Sequence, residues 1–251
     1  MAQLFEFIDV RSSEPPGEGL DGVSFSIAPG ENAVFFGIEG SGLRSLTPLM
    51  TGMEDRYEGD ILFRGSPIRD LDYLGRQRYR NRIGYIHGDY GLISNLNVEQ
   101  NISQRLEYYA EHDAAEIAEI TERLMEILGI MRKRHARPVE LTRSEILRAA
   151  FARATVHDPE LLIIEHAFVD QSPLNIRSFM DVLIERAGRR DRSLIFVTYE
   201  PQKFLDFADR MYMLYEGRIV FAGTGGEYHG SDNPYLAQYR GVSTAGPMRI
   251  E

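Results

Sequence analysis

The sequence contains no cysteine, no long hydrophobic run and no recognisable export signal. Without cysteine, the chain can form neither disulfides nor thiolate metal sites. The longest apolar stretches, LLII and AVFF with their neighbours, fall far short of the roughly 20 residues that cross a bilayer. The N-terminus MAQLFEFIDV has neither a basic region nor a long apolar region. We therefore expect a cytoplasmic protein whose link to a membrane depends on a partner.

Clustered positive charge is also absent. The formal net charge is −10, and the basic residues are scattered along the chain. Such a charge distribution provides no basic surface that could bind the phosphates of a nucleic acid, so we expect no nucleic-acid partner. With 43% hydrophobic residues, the 251-residue chain can fill the core of one large domain or two modest ones.

The first half of the chain changes its periodicity twice. Short β-type runs (LFEFIDV, VSFSI, NAVFFG) alternate with turns, which predicts a small antiparallel sheet feeding one buried strand. Residues 71–82 predict a polar, basic helix, followed by the strand IGYIH. From Asn97 to about Arg134, apolar residues recur at spacings of three and four, which predicts a helical insertion.

The second half, after Thr142, alternates continuous apolar strands with amphipathic helices. The predicted strands are ELLIIE, SLIFVTY, RMYMLYEG and GRIVFAG, and the predicted helices are EILRAAFARATV, LNIRSFMDVLIERAG and PQKFLDFADR. This alternation is typical of a parallel sheet covered on both faces. The polar, glycine-rich end HGSDNPYLAQYRGVSTAGPMRIE predicts an extension outside the domain.

The stretch GIEGSGLRSL stands between an apolar strand and a predicted helix. A glycine-rich turn and a helix N-terminus make an anion site because N–H groups and the helix dipole point at one place. The candidate binding residues are Gly37, Gly40, Ser41, Gly42, Leu43, Arg44 and Ser45. The full phosphate loop carries lysine and a hydroxyl residue where Leu43 and Arg44 stand. Taken alone, the glycine pattern fits a plain strand-to-helix turn equally well.

Four segments in order turn this weak pattern into a strong one: GIEGSGLRSL, HGDYGLI, ELTRSEILRAAFARATVHDPELLIIEHAF and VTYEPQKFLDFADRMYMLYEGRIVFAGT. Over nearly its whole length the chain resembles the ATP-binding cassette of ABC transporters. The resemblance implies an α/β fold: a P-loop NTPase (RecA-like) core with an N-terminal antiparallel β-subdomain and an α-helical subdomain. It implies one cassette over 1–229, with the core in 1–87 and 155–229, the helical subdomain and signature region in 88–154, and a C-terminal extension in 230–251 that contacts a partner subunit.

Compared with the family pattern, each catalytic motif is altered. The Walker A lysine position holds Leu43, and the magnesium-ligating hydroxyl position holds Arg44. The Q-loop glutamine position falls on Gly88. The Walker B pair is Glu165 and His166, so an acidic residue survives while the catalytic glutamate does not.

The motifs that complete the site in a cassette dimer are altered as well. The signature LSGGQ is replaced by Leu141, Thr142, Arg143, Ser144 and Glu145. The D-loop aspartate position holds Ser172, and the switch histidine position holds Tyr199. The aromatic residue that stacks on adenine is not evident in SSEPPGEGL. Arg143 is either a solvated helix-end residue or a new dimer contact, whereas we expect His166 and Tyr199 to pack as ordinary polar residues.

These changes predict the loss of hydrolysis. Phosphoryl transfer depends on lysine, metal and a group that orients water. If each lost group costs about 2 to 4 kcal/mol, two losses slow the reaction by roughly three orders of magnitude or more. We expect no catalytic residues, no resident metal, and ATP and magnesium bound weakly or not at all. In the alternative hypothesis, Arg44 reaches the phosphates, Glu165 holds magnesium and His166 acts as a base.

Two further segments resemble Mla-type cassettes of MCE phospholipid transporters: FVDQSPLNIRSFMDVL and NPYLAQYRGVSTAGPMRIE. This likeness implies a lipid cargo, an integral-membrane permease, a second cassette in a homo- or heterodimer, a STAS-domain subunit and an MCE protein. It also implies a peripheral location on the cytoplasmic face of the inner membrane. The predicted permease-facing residues are Tyr90, Leu92, Ile93 and Leu96.

Two functional hypotheses follow. The first is a non-hydrolysing structural and regulatory cassette in a membrane lipid transporter. The second is a working nucleotide-driven transport ATPase with altered catalytic residues. A soluble regulator without a permease leaves the apolar permease-facing residues unexplained. Ribosome-associated cassette proteins are disfavoured because they carry two cassettes in one chain and a basic linker.

Overall fold

A computed structural model describes residues 3–12, 18–110, 112–169, 171–187 and 191–250. The chain divides into two compact units. The first unit comprises Met1–Arg80 and Arg189–Glu251, and the second comprises Asn81–Gly188. The C-terminal part of the chain therefore belongs to the same unit as the N-terminal part.

The first unit contains a four-stranded antiparallel sheet in the order β2-β1-β4-β5. Its strands are β1 (Phe5–Ser12), β2 (Asp21–Ile27), β4 (Tyr57–Phe63) and β5 (Ser66–Pro67). Phe5, Phe7 and Val10 of β1 are buried, with a register shift between Phe7 and Val10, and the Phe7 and Phe25 rings stack with their centroids 4.6 Å apart. The predicted antiparallel sheet is confirmed.

The buried strand of the phosphate loop, β3 (Asn32–Gly37), lies in a second set of strands of the first unit. It pairs in parallel with β8 (Ser193–Thr198) on one side and with β9 (Arg210–Tyr215) on the other. β10 (Arg218–Gly223) pairs with β9 in the antiparallel sense. Every residue of β3 and β8 is buried, as expected for continuous apolar strands.

Among its described residues, the first unit has the α-helices α1 (Leu43–Met50), α2 (Tyr73–Asn81, which ends at the boundary), α7 (Gly225–Gly230) and α8 (Pro234–Arg240). The predicted basic helix over 71–82 is confirmed by α2, whose Tyr79 hydroxyl donates to the carbonyl of Met50.

The predicted helix PQKFLDFADR is wrong. Only a single 3₁₀ turn forms, at Pro201–Lys203, and the next residue leaves the helical region with φ −126°. Phe204 stacks on Phe196 with ring centroids 4.2 Å apart, and Phe207 contacts the same ring edge-on at 5.5 Å. Burying both rings against β8 outweighs the helical periodicity of this segment.

The C-terminal segment packs on the first unit instead of lying outside it. Leu236 and Met248 are 0% and 2% exposed. The Gln238 side chain donates to the Met248 carbonyl at 2.9 Å and accepts from the Met248 N–H at 2.7 Å. The segment is thus folded back on its own chain, and its contact with a partner subunit stays a prediction.

The second unit carries the parallel strands β6 (Ile83–Ile86) and β7 (Leu161–Glu165) and the helices α3 (Val98–Tyr109), α4 (Ala114–Ile127), α5 (Arg143–Thr155) and α6 (Pro173–Ala187). The helical insertion is confirmed, with a break at Ala110, where φ is 51°. The unit is larger than the predicted 88–154 region because it includes both strands and α6. Within the described residues, no helix has the length and hydrophobicity that crossing a bilayer requires.

Candidate functional site

The phosphate-loop candidate in the first unit needs its glycines for the turn itself. A Cβ on Gly37 would lie 2.4 Å from the Leu214 carbonyl oxygen, which is too close for any side chain. Gly42, the N-cap of α1, has φ 94°, and a Cβ there would lie 2.9 Å from the Gly19 carbonyl oxygen. The conformation of the strand-to-helix turn therefore accounts for both glycines.

The same turn leaves backbone donors available. Ser41 donates its N–H to the Ile38 carbonyl and Ser45 donates its N–H to the Gly42 carbonyl. For the N–H groups of Leu43 and Arg44, the described residues supply no acceptor. The Ser41 hydroxyl, in a residue only 1% exposed, likewise has no hydrogen-bond partner in the described part of the chain. Such groups fit a bound anion at a helix N-terminus.

The side chains of the loop supply no positive charge to such an anion. Leu43 is 2% exposed and packs in the core. The Arg44 side chain is 72% exposed, and its Nη1 lies 3.6 Å from the Glu18 carboxylate. The Ser45 hydroxyl donates to the Glu18 backbone carbonyl at 2.5 Å. A buried leucine thus stands at the lysine position of the family pattern, and a solvated arginine stands at the position of the magnesium-ligating hydroxyl. The hydroxyl of Ser45, one residue later, already has a hydrogen-bond partner.

The Walker B and Q-loop positions lie together in the second unit. Glu165, 5% exposed at the end of β7, accepts a hydrogen bond from the Tyr85 hydroxyl at 2.5 Å. Burial, and then the bond to Glu165, raise the pKa of Tyr85, so the phenol stays protonated and keeps donating. The sequence did not identify Tyr85, although the period-two alternation of IGYIH beside ELLIIE could have placed it near the carboxylate.

The backbone of His166, the residue after Glu165, is in the left-handed region, with φ 49°. A Cβ on Gly88 would lie 3.4 Å from the His166 Cβ, an ordinary contact distance. Packing therefore leaves room for a Cβ at position 88, and contacts at this atom do not require glycine there.

Hydrogen bonds hold the side chains of Asp89 and Tyr90, which follow Gly88. The Asp89 carboxylate lies 2.9 Å from Nδ1 of His87, and this contact, above all, lowers the pKa of Asp89. Tyr90 is only 6% exposed, and its hydroxyl accepts from the Gln171 amide at 3.0 Å. Tyr90 is therefore a buried residue of its own unit, whereas the other predicted permease-facing residues, Leu92, Ile93 and Leu96, are half-exposed.

The signature segment forms the start of α5. Thr142 is the N-cap, and its hydroxyl accepts from the Glu145 N–H while the Glu145 carboxylate accepts from the Thr142 N–H. The backbone bond from Thr142 is the largest cause of the lowered pKa of Glu145. Arg143 is exposed, and its carbonyl accepts from the Gln171 amide at 3.2 Å. The T-x-x-E spacing is the sequence pattern of a capping box and could have identified this contact.

Tyr199, at the switch position, is a half-buried residue of the first unit just after β8. Its carbonyl accepts a 2.5 Å hydrogen bond from the Tyr239 hydroxyl. Tyr239 comes from the C-terminal segment, and no pattern in the sequence pointed to this contact. In the described residues there is no cluster of three or more carboxylates and histidines suited to a metal ion.

Comparison with known proteins gives a consistent result. The family model described as ABC transporter matches residues 20–169. The sulfate/thiosulfate import ATP-binding protein CysA of Brucella melitensis is 29% identical over 241 residues, covering 92% of this chain. The methionine import ATP-binding protein MetN of Mesorhizobium japonicum is 27% identical over 220 residues, covering 88% of this chain. The chain spans 64% and 60% of the lengths of these two relatives.

Among solved structures, cbiO1 from Clostridium perfringens, part of the ABC transporter complex cbiONQ, superposes with a TM-score of 0.81. The match covers 93% of each chain at 22% sequence identity. At that identity the likeness establishes the α/β fold alone, including the antiparallel strands and the helical part.

Proposed function

The chain belongs to the ABC transporter family, and on that premise we propose that it is the cassette subunit of a membrane transporter, acting without hydrolysing ATP. In this role it binds an integral-membrane permease and pairs with a second cassette, as a homodimer or beside an intact subunit. The permease holds it at the cytoplasmic face of the membrane. The observation that carries the proposal is the buried, uncharged Leu43 at the lysine position.

The residues fit a phosphate group better than they fit magnesium. The unbonded N–H groups of Leu43 and Arg44 and the buried Ser41 hydroxyl are suited to an anion. Magnesium needs oxygen ligands in near-octahedral geometry. The Glu165 carboxylate already accepts from Tyr85, and Gly88 offers no side chain at all. We therefore propose that the chain binds a nucleotide without magnesium-dependent turnover.

The alternative is an ATPase with altered catalytic residues. It requires Arg44 to contact the phosphates, Glu165 to bind magnesium and His166 to act as a base. Arg44 points to Glu18 with most of its side chain in solvent. Its planar guanidinium also does not reproduce the point charge of a lysine. The contacts of Arg44 and Glu165 thus favour the non-hydrolysing cassette.

The lipid cargo and the MCE and STAS-domain partners stay outside this proposal. The relatives named above carry the names of sulfate, thiosulfate and methionine import proteins. They lend no support to the Mla-type likeness of FVDQSPLNIRSFMDVL and the C-terminal segment, and this chain spans less than two thirds of their length.

Phosphate release from ATP and magnesium by the purified full chain tests the proposal. We expect no phosphate release above the buffer background. The sulfate/thiosulfate import ATP-binding protein CysA, run in the same assay, is the positive control. A fluorescent ATP analogue, titrated with magnesium and with chelator, reports binding separately from turnover. Turnover comparable to that of the control cassette would contradict the proposal.

A further inference from the structure

A cavity of about 630 Å³ lies in the first unit beneath the C-terminal segment. Its volume is in the range of small-molecule sites, which run from about 300 to 1,000 Å³. Four aliphatic side chains line it: Ile38, Val242, Met248 and Ile250. Met248 is 2% exposed, whereas Ile250 is 50% and Val242 is 90% exposed. The cavity thus combines a buried apolar residue with apolar side chains that are exposed to water at its rim.

The backbone of Val242 is strained. Its φ is 47°, in the left-handed region just after α8. Among the described non-glycine residues with positive φ, Val242 is the only β-branched one. Glycine or asparagine is favoured at such a position, because a branched Cβ crowds the backbone there. An exposed valine contributes little to the core in return for this strain, and strain of this kind marks functional sites.

Three tyrosines, Tyr199, Tyr228 and Tyr239, form another part of the wall. The Phe36 ring meets Tyr228 and Tyr239 edge-on, with centroids 5.7 Å and 5.4 Å away. The Tyr239 hydroxyl donates to the Tyr199 carbonyl at 2.5 Å. Because this donor already has its acceptor, an apolar ligand beside Tyr239 leaves it satisfied.

Arg240 brings a positive charge to the wall. Of the described residues that line the cavity, Arg240 has the permanent charge and none carries a carboxylate. Its guanidinium donates from Nη1 and Nη2 to the backbone carbonyls of Tyr228, His229 and Ser231. A guanidinium has five N–H donors, so at least two remain, and the described residues offer no acceptor for that on Nε. These donors and their charge suit an anionic group.

The other polar side chains of the wall include the neutral groups of Gln202, Gln238, Ser243 and Thr244. The Gln238 amide donates to the Ser243 carbonyl at 3.2 Å, so it fixes the segment itself. Gln202 and Thr244 are exposed. A cation would meet Arg240 without a counter-charge, and a wholly polar ligand would leave the aliphatic side chains in water. The wall therefore matches a ligand that has both an aliphatic chain and an anionic group.

We propose that this cavity binds an aliphatic chain with a single anionic head group, the chain against Ile38, Val242 and Met248 and the head group at Arg240. The head group can be the carboxylate of a free fatty acid or the phosphate of an anionic lipid. Such a ligand belongs to the cassette itself and assigns no cargo to a transporter. The site uses none of the loop N–H groups that nucleotide binding requires, so it can fail or succeed independently of the proposed function.

Decanoate, titrated into the full chain by calorimetry, tests the proposal. We expect saturable binding with a Kd below about 1 mM. Decyltrimethylammonium, which has the same chain length and the opposite charge, should bind at least about tenfold more weakly. Non-specific adsorption to a chain of net charge −10 would favour the cation instead.

Dioctanoyl phosphatidylglycerol, added below its critical micelle concentration, distinguishes the two sources of the head group. Binding of decanoate shows that a free carboxylate is sufficient. Binding of the phospholipid without decanoate identifies the lipid phosphate. Either result supports the site when it depends on Val242 and on the charge at the rim.

Val242→Gly should weaken binding by about tenfold, because the isopropyl contact is lost. The same change should raise the melting temperature by about 1 to 3 °C, because it relieves the left-handed strain. These opposite signs separate lost binding from lost folding. Val139→Gly is the matched control: this valine is 89% exposed in the second unit, and its loss should leave binding unchanged.

Thr244→Glu, which places a carboxylate at the rim, should weaken binding by at least about tenfold. Thr244→Gln, neutral and of similar size, should bind like the wild type. The proposal is overturned if neither anion binds saturably up to about 1 mM, or if the cation binds as tightly as decanoate. Binding by Val242→Gly and Thr244→Glu equal to that of the wild type would overturn it as well.

Discussion

The Tyr85 hydroxyl donates to the Glu165 carboxylate at 2.5 Å, across the parallel strands β6 and β7. A buried carboxylate needs a partner, because an unsatisfied buried charge is far costlier than a hydrogen-bonded one. Here a phenol from the neighbouring strand provides that partner. The acidic residue of the Walker B position thereby has a structural role that requires no metal.

Removing this donor should destabilise the protein. We expect Tyr85→Phe to lower the free energy of unfolding by about 1 to 3 kcal/mol, because Glu165 loses its hydrogen bond while staying buried. Urea unfolding followed by circular dichroism measures the change. Tyr108→Phe is the control, since Tyr108 is 69% exposed. Equal stability of the two variants would contradict the structural role of Tyr85.

Buried tyrosines should also make the protein sensitive to alkaline pH. The pKa values of Tyr85 and Tyr239 are raised, mainly by burial. In the unfolded chain these phenols ionise near pH 10, whereas the folded state keeps them protonated. Their contribution to stability is therefore complete below about pH 10 and is lost as pH rises above it. The free energy of unfolding should fall as pH rises across this range. In Tyr239→Phe this fall should be shallower, by the contribution of about one proton. If the pH dependence of Tyr239→Phe equals that of the wild type, Tyr239 does not contribute to the alkaline loss of stability.

Restoring two of the catalytic residues together should not restore hydrolysis. We expect the double variant Leu43→Lys with His166→Glu to release no more phosphate than the wild type, because the signature segment still caps α5 with Thr142 and Glu145. The introduced lysine would also enter a site where Leu43 is 2% exposed, so Leu43→Met, a volume-conserving change, serves as the folding control. Full recovery of turnover by the double variant would show that the altered signature is competent.

The fold could be predicted well from the sequence, and the site less well. Strands such as β3 and β8 are continuous apolar runs, and their burial follows directly from that composition. The helix expected at PQKFLDFADR failed because Phe204 packs against Phe196, a contact between residues of two different elements. The Tyr239–Tyr199 hydrogen bond joins residues 40 positions apart and has no local signature. Side-chain partners of this kind depend on tertiary packing, which periodicity does not encode.

The signature segment should behave as a helix cap. Thr142→Ala removes the acceptor of the Glu145 N–H and should cost about 1 kcal/mol in unfolding free energy, measured in urea. Because the pKa of Glu145 is lowered, its contribution is present above its unfolded pKa and is lost as pH falls through the folded value. The Thr142 hydroxyl also donates to the Glu145 carboxylate at 3.0 Å, and Thr142→Ala removes this bond while keeping the one from the Thr142 N–H, so part of the stability difference from wild type should be lost in acid. Thr244→Ala, an exposed threonine outside any cap, is the control.

The last prediction concerns where the C-terminal segment packs. Gln238 is 5% exposed and makes three hydrogen bonds to the segment's own backbone, so Gln238→Ala should release residues 242–250 locally without unfolding the unit. Hydrogen exchange should be slow for the Met248 amide in the wild type and at least about tenfold faster in the variant. Gln202→Ala, an exposed glutamine, should leave that rate unchanged.

Repeating the exchange at several protein concentrations distinguishes packing on the same chain from packing on a partner. Protection that does not vary with concentration corresponds to the intramolecular bonds of Gln238. Protection that disappears on dilution would mean that the segment is held by another subunit in solution, as the sequence likeness implies.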